Sequence, residues 1–135
     1  MTRWRSVGLA MALVGLIDGI YLTVDSLNPQ VPLYCPSGGI INCVTLTSSA
    51  YSRFGGIPVA ILGATWFALV LVIIALNRPS LNYALIPLWA IAVVFAGYLI
   101  FTELFVLHAI CPYCTLAHVL GITLVVPIAK LLLEG

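Results

Sequence analysis

The chain has 135 residues, of which 63% are hydrophobic and only 7% are charged, and its formal net charge is +1. About a quarter of the residues in a soluble domain are charged, so this composition excludes an ordinary soluble fold and indicates a lipid environment. The near-zero net charge and the lack of a basic stripe in the sequence also exclude nucleic acid as a partner.

Four apolar runs are long enough to cross a bilayer, which takes about 20 mostly apolar residues. They cover residues 7–27, 57–76, 81–101 and 110–133. The only long connection is the loop 28–56, which is rich in Pro, Gly and Ser. The sequence therefore predicts one all-α integral membrane domain over residues 1–135. It is a four-transmembrane-helix bundle whose outer end is capped by a cysteine-containing loop.

The first run follows two arginines, as a signal peptide would, but Asp18 and Tyr21 stand where a cleavage site should lie. We therefore predict that it is a retained helix. A carboxylate at lipid depth is costly, so Asp18 should face the bundle interior. For Asp18, a hydrogen bond to Thr or Ser of a neighbouring helix is slightly favoured over a role in proton relay.

The first run also contains a glycine pattern. Gly15 and Gly19 form a small-xxx-small pattern, and Gly8 lies seven residues before Gly15. This pattern predicts close helix packing.

The distribution of lysine and arginine predicts the orientation in the membrane. With four spans, one side receives Arg3, Arg5, Arg78 and Lys130, and the other side receives only Arg53. This predicts a multi-pass cell-membrane protein with both termini in the cytoplasm. The long loop and the start of the last helix then lie on the extracytoplasmic side.

All four cysteines map to that oxidising side. Cys111 and Cys114 form a C-P-Y-C motif at the start of the fourth run. Proline favours the first helical position, which makes Cys111 the expected N-cap. The positive end of the helix dipole favours the thiolate there, and Cys114 is close enough for a short, reducible disulfide.

The other two cysteines, Cys35 and Cys43, lie in the long loop and are separated by seven residues. A disulfide closing so short a loop stabilises a fold only weakly, so a bond made and broken during turnover fits better. Two alternatives remain. One is a pair of structural disulfides. The other is a zinc site made of Cys111, Cys114, His118 and a loop cysteine, although such sites usually have a second cysteine knuckle.

The order of these motifs resembles the vitamin K epoxide reductase family, in its prokaryotic, quinone-linked branch. The matching segments cover nearly the whole chain. They are Gly-Ile-Tyr-Leu-Thr at 19–23, the C-x7-C pair at 35–43, Thr-Ser-Ser at 47–49, Phe-Gly-Gly-Ile-Pro at 54–58, and C-P-Y-C at 111–114.

The resemblance implies an electron relay. A reduced thioredoxin-like protein, on the extracytoplasmic side and separate from this chain, attacks the Cys35–Cys43 disulfide at Cys35. The freed Cys43 attacks the Cys111–Cys114 disulfide at Cys111, and Cys114 then reduces a quinone of the ubiquinone or menaquinone type. The resemblance implies no metal. It also places Ser49 beside the quinone, where its hydroxyl could donate to a carbonyl, although a helix cap in the loop is an equal interpretation.

Two positions depart from the vitamin K-recycling members of the family. Those members carry an asparagine where Val59 stands and a tyrosine where His118 stands, and both contact vitamin K, so the departures weaken the case for epoxide reduction. His118 lies one turn after Cys114 on the same helix face and could donate to a quinone carbonyl or carry a proton. The alternative is an interhelical hydrogen bond.

A small transporter is a further possible function. It is supported only by the ionisable residues Asp18 and His118, and the sequence lacks the paired repeats expected of a transporter.

Overall fold

The computed structural model describes residues 3–27, 53–54, 57–106 and 112–134. These residues form six α-helices, one π-helical turn and one two-stranded ladder. The helices are α1 (Arg3–Leu27), α2 (Val59–Leu76), α3 (Pro79–Asn82), α4 (Leu85–Phe101), α5 (Pro112–Thr123) and α6 (Val125–Glu134). The π-helical turn, Thr102–Val106, continues α4. The predicted cap of the bundle falls mainly on residues 28–52, which lie outside the described part of the chain.

Four helical stretches are long and apolar enough to cross a membrane. They are Arg3–Val24, Val59–Leu76, Pro79–Phe101 and Tyr113–Leu133, and we call them spans 1 to 4. Span 3 comprises α3 and α4, and span 4 comprises most of α5 and α6. The predicted all-α membrane fold with four transmembrane helices is thereby confirmed.

Span 2 begins two residues later than the sequence predicted. Strand β2 (Ile57–Pro58) pairs antiparallel with β1 (Arg53–Phe54) before α2 starts at Val59. The ring of a proline disfavours helical backbone in the residue before it, so Ile57 is extended and the helix starts only after Pro58.

An asparagine and a proline make the short connection between spans 2 and 3 possible. Asn77 has a positive φ of 53°, a left-handed conformation that asparagine tolerates better than most residues, and its N–H donates to the Ile74 carbonyl oxygen at 3.2 Å. Pro79 then begins α3 at the first helical position, where its missing N–H costs nothing. Span 3 therefore starts earlier than residue 81.

Span 4 was predicted as one helix, but it is divided after Thr123. Pro127 has no N–H, and its ring crowds the carbonyl four residues earlier, which is that of Thr123. Two hydrogen bonds continue the helical path across the division: Leu124 N–H to Leu120 O and Ile128 N–H to Leu124 O, each 3.0 Å long. The two segments α5 and α6 therefore act as one span.

Span 1 is the element that organises the bundle. It packs most extensively against α2, and its other side contacts α5 and α6, while α4 packs mainly against α5. Spans 2 and 3 contact each other least of the neighbouring pairs. Two indoles connect the spans, because Trp66 Nε1 donates to the Leu88 carbonyl oxygen at 2.9 Å and Trp89 Nε1 donates to the Ile122 carbonyl oxygen at 3.0 Å.

The buried apolar core lies in one half of the bundle, the half that contains both ends of the described chain. We call this the terminal half. Its core cluster consists of Ala12, Phe67, Val70, Ile74, Leu85, Leu124, Ile128 and Leu131. At the same end, Arg5 donates from Nε and Nη2 to the carbonyl oxygens of Ile74 and Ala75, at 3.2 and 2.7 Å, and so satisfies the last turn of α2.

The glycine stripe of α1 packs against α2, as the small-xxx-small pattern predicted. A Cβ at Gly19 would lie 3.0 Å from the Ala64 Cα, and a Cβ at Gly15 would overlap the Phe67 ring. Backbones that approach this closely gain dispersion contacts, which are a main source of helix association in lipid.

Replacing Gly15 with alanine should therefore lower the free energy of unfolding by about 1–3 kcal/mol, the usual cost of overpacking a well-packed site. Thermal unfolding in detergent measures the change. Gly97→Ala is the matched control, because a Cβ at exposed Gly97 meets nothing within 4 Å. Equal stability of the Gly15 variant and wild type would contradict the close packing of α1 and α2.

Candidate functional site

Two of the predicted site residues, Cys114 and His118, lie within the described structure. The other four are Cys35, Cys43, Cys111 and Ser49, and they lie outside it. The arrangement of these four residues, and the order of electron transfer among the cysteines, therefore stay predictions.

The C-P-Y-C motif opens α5. The helix begins at Pro112, so proline occupies the first helical position, as the motif predicted. Cys114 is in the first turn and is half-buried. Here the helix presents N–H groups and the positive end of its dipole, the environment in which cysteine thiolates are stabilised.

An aromatic pair fixes this helix start against span 1. The rings of Tyr21 and Tyr113 have centroids 5.2 Å apart at an interplanar angle of 42°. At the other end of the two spans, a Cβ at Gly8 would lie 3.5 Å from the Pro127 Cβ. These two contacts set the antiparallel register of span 1 and span 4.

His118 lies one turn after Cys114 on the same face of α5. It is only 9% exposed, and its Nδ1 atom has no hydrogen-bond partner. The interhelical hydrogen bond considered from the sequence is therefore not formed by Nδ1. Leaving a buried polar atom unpaired costs about 1–3 kcal/mol, so a bound molecule that pairs with Nδ1 would recover that free energy.

Asp18 is the other buried ionisable side chain of the described spans. It is 7% exposed, and its Oδ2 atom is also without a hydrogen-bond partner. The hydrogen bond to Thr or Ser of a neighbouring helix, which the sequence slightly favoured, is not formed at Oδ2. Four threonine hydroxyls near or within the spans instead donate to carbonyl oxygens of their own helical turns: those of Thr23, Thr65, Thr102 and Thr123.

Asp18 and His118 lie at nearly the same depth. Asp18 is three residues before Tyr21, and His118 is five residues after Tyr113 in the antiparallel span. At 1.5 Å of rise per residue, both are further into the bundle than the tyrosine pair, by roughly 4.5 and 7.5 Å. Their backbones therefore differ in depth by only about 3 Å.

A pair of aromatic rings lies between these two polar residues and the rest of the core cluster. Trp66 and Phe67 pack edge to face, with ring centroids 5.0 Å apart. Phe67 fills the space beside Gly15, one turn inward from Asp18, and Trp66 approaches Gly121, one turn inward from His118. This layer was not predicted from the sequence, although a glycine stands three residues inward from each of the two polar residues and could have indicated it.

No three His, Cys, Asp or Glu side chains within the described ranges gather in a way that could hold a metal ion. The zinc site considered from the sequence also needs Cys111 and a loop cysteine, which are outside those ranges. Its described members, Cys114 and His118, share a helix face.

The fold and this site define a multi-pass membrane protein that carries a C-x-x-C motif at the start of its last span. The chain belongs to the Vitamin K epoxide reductase family, which it matches over residues 7–128. It is also similar to an uncharacterized protein of Archaeoglobus fulgidus, with 32% identity over 128 residues that cover 94% of this chain and 97% of the relative. The predicted family is confirmed, and the quinone-linked branch stays a prediction. Family membership makes this chain a membrane thiol–disulfide oxidoreductase by class.

Proposed function

We propose that this chain oxidises a thioredoxin-like protein on the extracytoplasmic side and passes the electrons to a lipid quinone, which supports disulfide bond formation. The observation that carries the proposal is the face of α5 that holds half-buried Cys114 and, one turn deeper, His118 with its unpartnered Nδ1 atom. A thiol next to a buried nitrogen able to hydrogen-bond suits a substrate that takes up electrons and protons at carbonyl oxygens.

The packing of the bundle supports a lipid substrate. The apolar core cluster fills the terminal half, whereas the half that contains Cys114 holds the buried polar side chains of Asp18 and His118. Spans 2 and 3 contact each other least of the neighbouring pairs, so an isoprenoid tail has its easiest route into the bilayer between them. A quinone of the ubiquinone or menaquinone type has both the carbonyl oxygens and the tail that such a site requires.

The proposed relay balances in electrons and protons. The two thiols of the partner protein reduce the Cys35–Cys43 disulfide and become a disulfide themselves. The Cys35 and Cys43 thiols reduce the Cys111–Cys114 disulfide in the same way, by attack of Cys43 on Cys111. Oxidation of Cys111 and Cys114 to a disulfide then releases two electrons and two protons, which convert the quinone to the quinol. Ser49 is proposed to donate to a carbonyl oxygen in that last step.

The direct test uses purified protein in detergent. A reduced thioredoxin-like protein should lose its two thiols only when both this enzyme and a quinone are present, with one quinol formed per disulfide. A simpler measurement counts the thiols of the reduced enzyme before and after adding quinone. An unchanged thiol count would rule out quinone reduction and favour a non-catalytic protein with structural disulfides or a zinc site.

We also propose that both termini are cytoplasmic and that the cysteine loop is extracytoplasmic, on the basis of the four-to-one division of basic residues. Reporter fusions after Gly135 and within the loop at 36–42 should then give signals from opposite sides of the membrane. An alkaline phosphatase fusion should be active only in the loop. Signals from the same side at both positions would contradict four spans with this orientation.

A further inference from the structure

The side of α1 that bears Asp18 is the side that faces span 4. Trp4, Met11 and Asp18 are spaced by seven residues, which keeps them close to one line along the helix. At one end of that line, the Lys130 Nζ atom of α6 lies 5.7 Å from the centroid of the Trp4 ring. One turn beyond Asp18, Tyr21 contacts Tyr113 of α5. Asp18 lies along α1 between these two contacts, in the stretch of the helix that packs against span 4.

Asp18 is one turn from Gly15 on α1 and therefore lies beside the glycine stripe, which packs on α2. It is more than nine-tenths buried, and its Oδ2 atom has no partner. A carboxyl group that only joined two helices would be expected to have a donor for its buried Oδ2 atom on the neighbouring helix. An apolar side chain would fill this position at lower cost, because an ionisable group in a membrane span is expensive. Retaining a carboxyl group here therefore calls for an explanation by function.

We propose that Asp18 exchanges protons with the quinone site, together with His118 on the facing span. The two side chains belong to facing helices and differ in depth by only about 3 Å. Each has a buried polar atom without a partner, and both lie outside the aromatic layer of Trp66 and Phe67. This inference rests on the proposed function, because it assigns a residue to the quinone step of that reaction.

The step conserves protons and electrons. When the Cys111 and Cys114 thiols become a disulfide, two S–H bonds break, one S–S bond forms, and two electrons leave. The quinone takes up those two electrons and two protons, one on each carbonyl oxygen. Asp18 gives a proton toward one oxygen and regains one from the thiols, so the carboxyl group is unchanged after each turnover. His118 performs the equivalent transfer for the other oxygen.

The test separates the two half-reactions of the purified enzyme. Single-turnover quinone reduction by the pre-reduced enzyme is measured with ubiquinone-1 and with menadione, and thiol exchange with a reduced thioredoxin-like protein is measured without quinone. Asp18→Asn, which keeps the size and polarity of the side chain, should slow quinone reduction at least tenfold and leave thiol exchange within twofold. Asp18→Glu, which restores the carboxyl group, should recover most of the lost rate.

A buried polar group at the other end of the bundle provides the matched control. Asn82 is 5% exposed, and its Oδ1 atom is also unpartnered, but it lies beside Leu131 and Leu132, far from Cys114. Asn82→Leu should leave both half-reactions unchanged. Proton transfer in the slow step should also give a solvent isotope effect of at least twofold in wild type and a different value in Asp18→Asn.

Three outcomes would count against the inference or against the proposed function. If wild type reduces quinone, and Asp18→Asn reduces it at the same rate with the same isotope effect, Asp18 is not a proton-exchanging residue and the inference is overturned. If wild type itself reduces neither quinone, the proposed function fails first. Equal slowing of both half-reactions in Asp18→Asn would indicate a general structural defect and would also overturn the inference.

Discussion

Replacing Cys114 with serine should reduce steady-state oxidation of the partner protein by roughly a thousandfold or more, the scale on which loss of an essential nucleophile acts. A hydroxyl cannot form the disulfide that releases two electrons to the quinone. The relay should therefore stop one step earlier, with Cys43 joined to Cys111. Non-reducing gels and mass mapping of the linked peptides would identify that bond.

A second cysteine variant tests the order of the relay. Cys43→Ser removes the thiol that resolves the first mixed disulfide, so it should instead accumulate an adduct between the partner protein and Cys35. A loop-to-helix bond from Cys35 to Cys114 in any variant would contradict the proposed order. Full activity in all four single cysteine variants would leave the structural-disulfide interpretation in place.

The second large effect is expected at His118. His118→Ala should slow quinone reduction by about 10- to 100-fold, because a hydrogen-bonding or proton-carrying group at a developing charge typically contributes on that scale or above. Exchange between the partner and the Cys35–Cys43 pair should be unchanged, since that chemistry takes place in the loop. Stopped-flow measurement of the two half-reactions separates the effects.

His118→Gln is the informative companion variant. Glutamine can donate a hydrogen bond but cannot carry a proton at neutral pH, so it should retain part of the rate if His118 only hydrogen-bonds a carbonyl oxygen. A rate as low as that of the alanine variant would indicate proton transfer. If neither substitution changes either half-reaction, His118 is a packing residue and its buried Nδ1 atom needs another explanation.

The four spans were predictable because a bilayer imposes a simple requirement, about 20 apolar residues per helix, and this chain meets it four times. Individual prolines shifted or interrupted the predicted helix boundaries. Ile57 is extended because it precedes a proline, and Pro127 divides span 4 after Thr123. Hydropathy averages over such positions, so a window wide enough to detect a span is too wide to detect the interruption.

The site could be predicted only in part, and for a similar reason. The position of His118 relative to Cys114 follows from helix periodicity within one segment. The common depth of Asp18 and His118 cannot be predicted in this way. They lie on different spans, and their relative depth depends on the register between those spans. The structure sets that register through the Tyr21–Tyr113 contact and the approach of Gly8 to Pro127. Neither contact could have been identified from hydropathy or from spacing along one helix.

The unequal filling of the bundle has a consequence for the membrane around it. The ionisable groups at Asp18 and His118 lie on one side of the Trp66–Phe67 layer, and the rest of the buried apolar cluster lies on the other side. If these two residues exchange protons with a bound quinone, as we propose, we expect those protons to come from and return to one aqueous compartment only. The proposed turnover would then move no protons across the membrane, and a cell could run this oxidation continuously without discharging the electrochemical gradient that its membrane maintains.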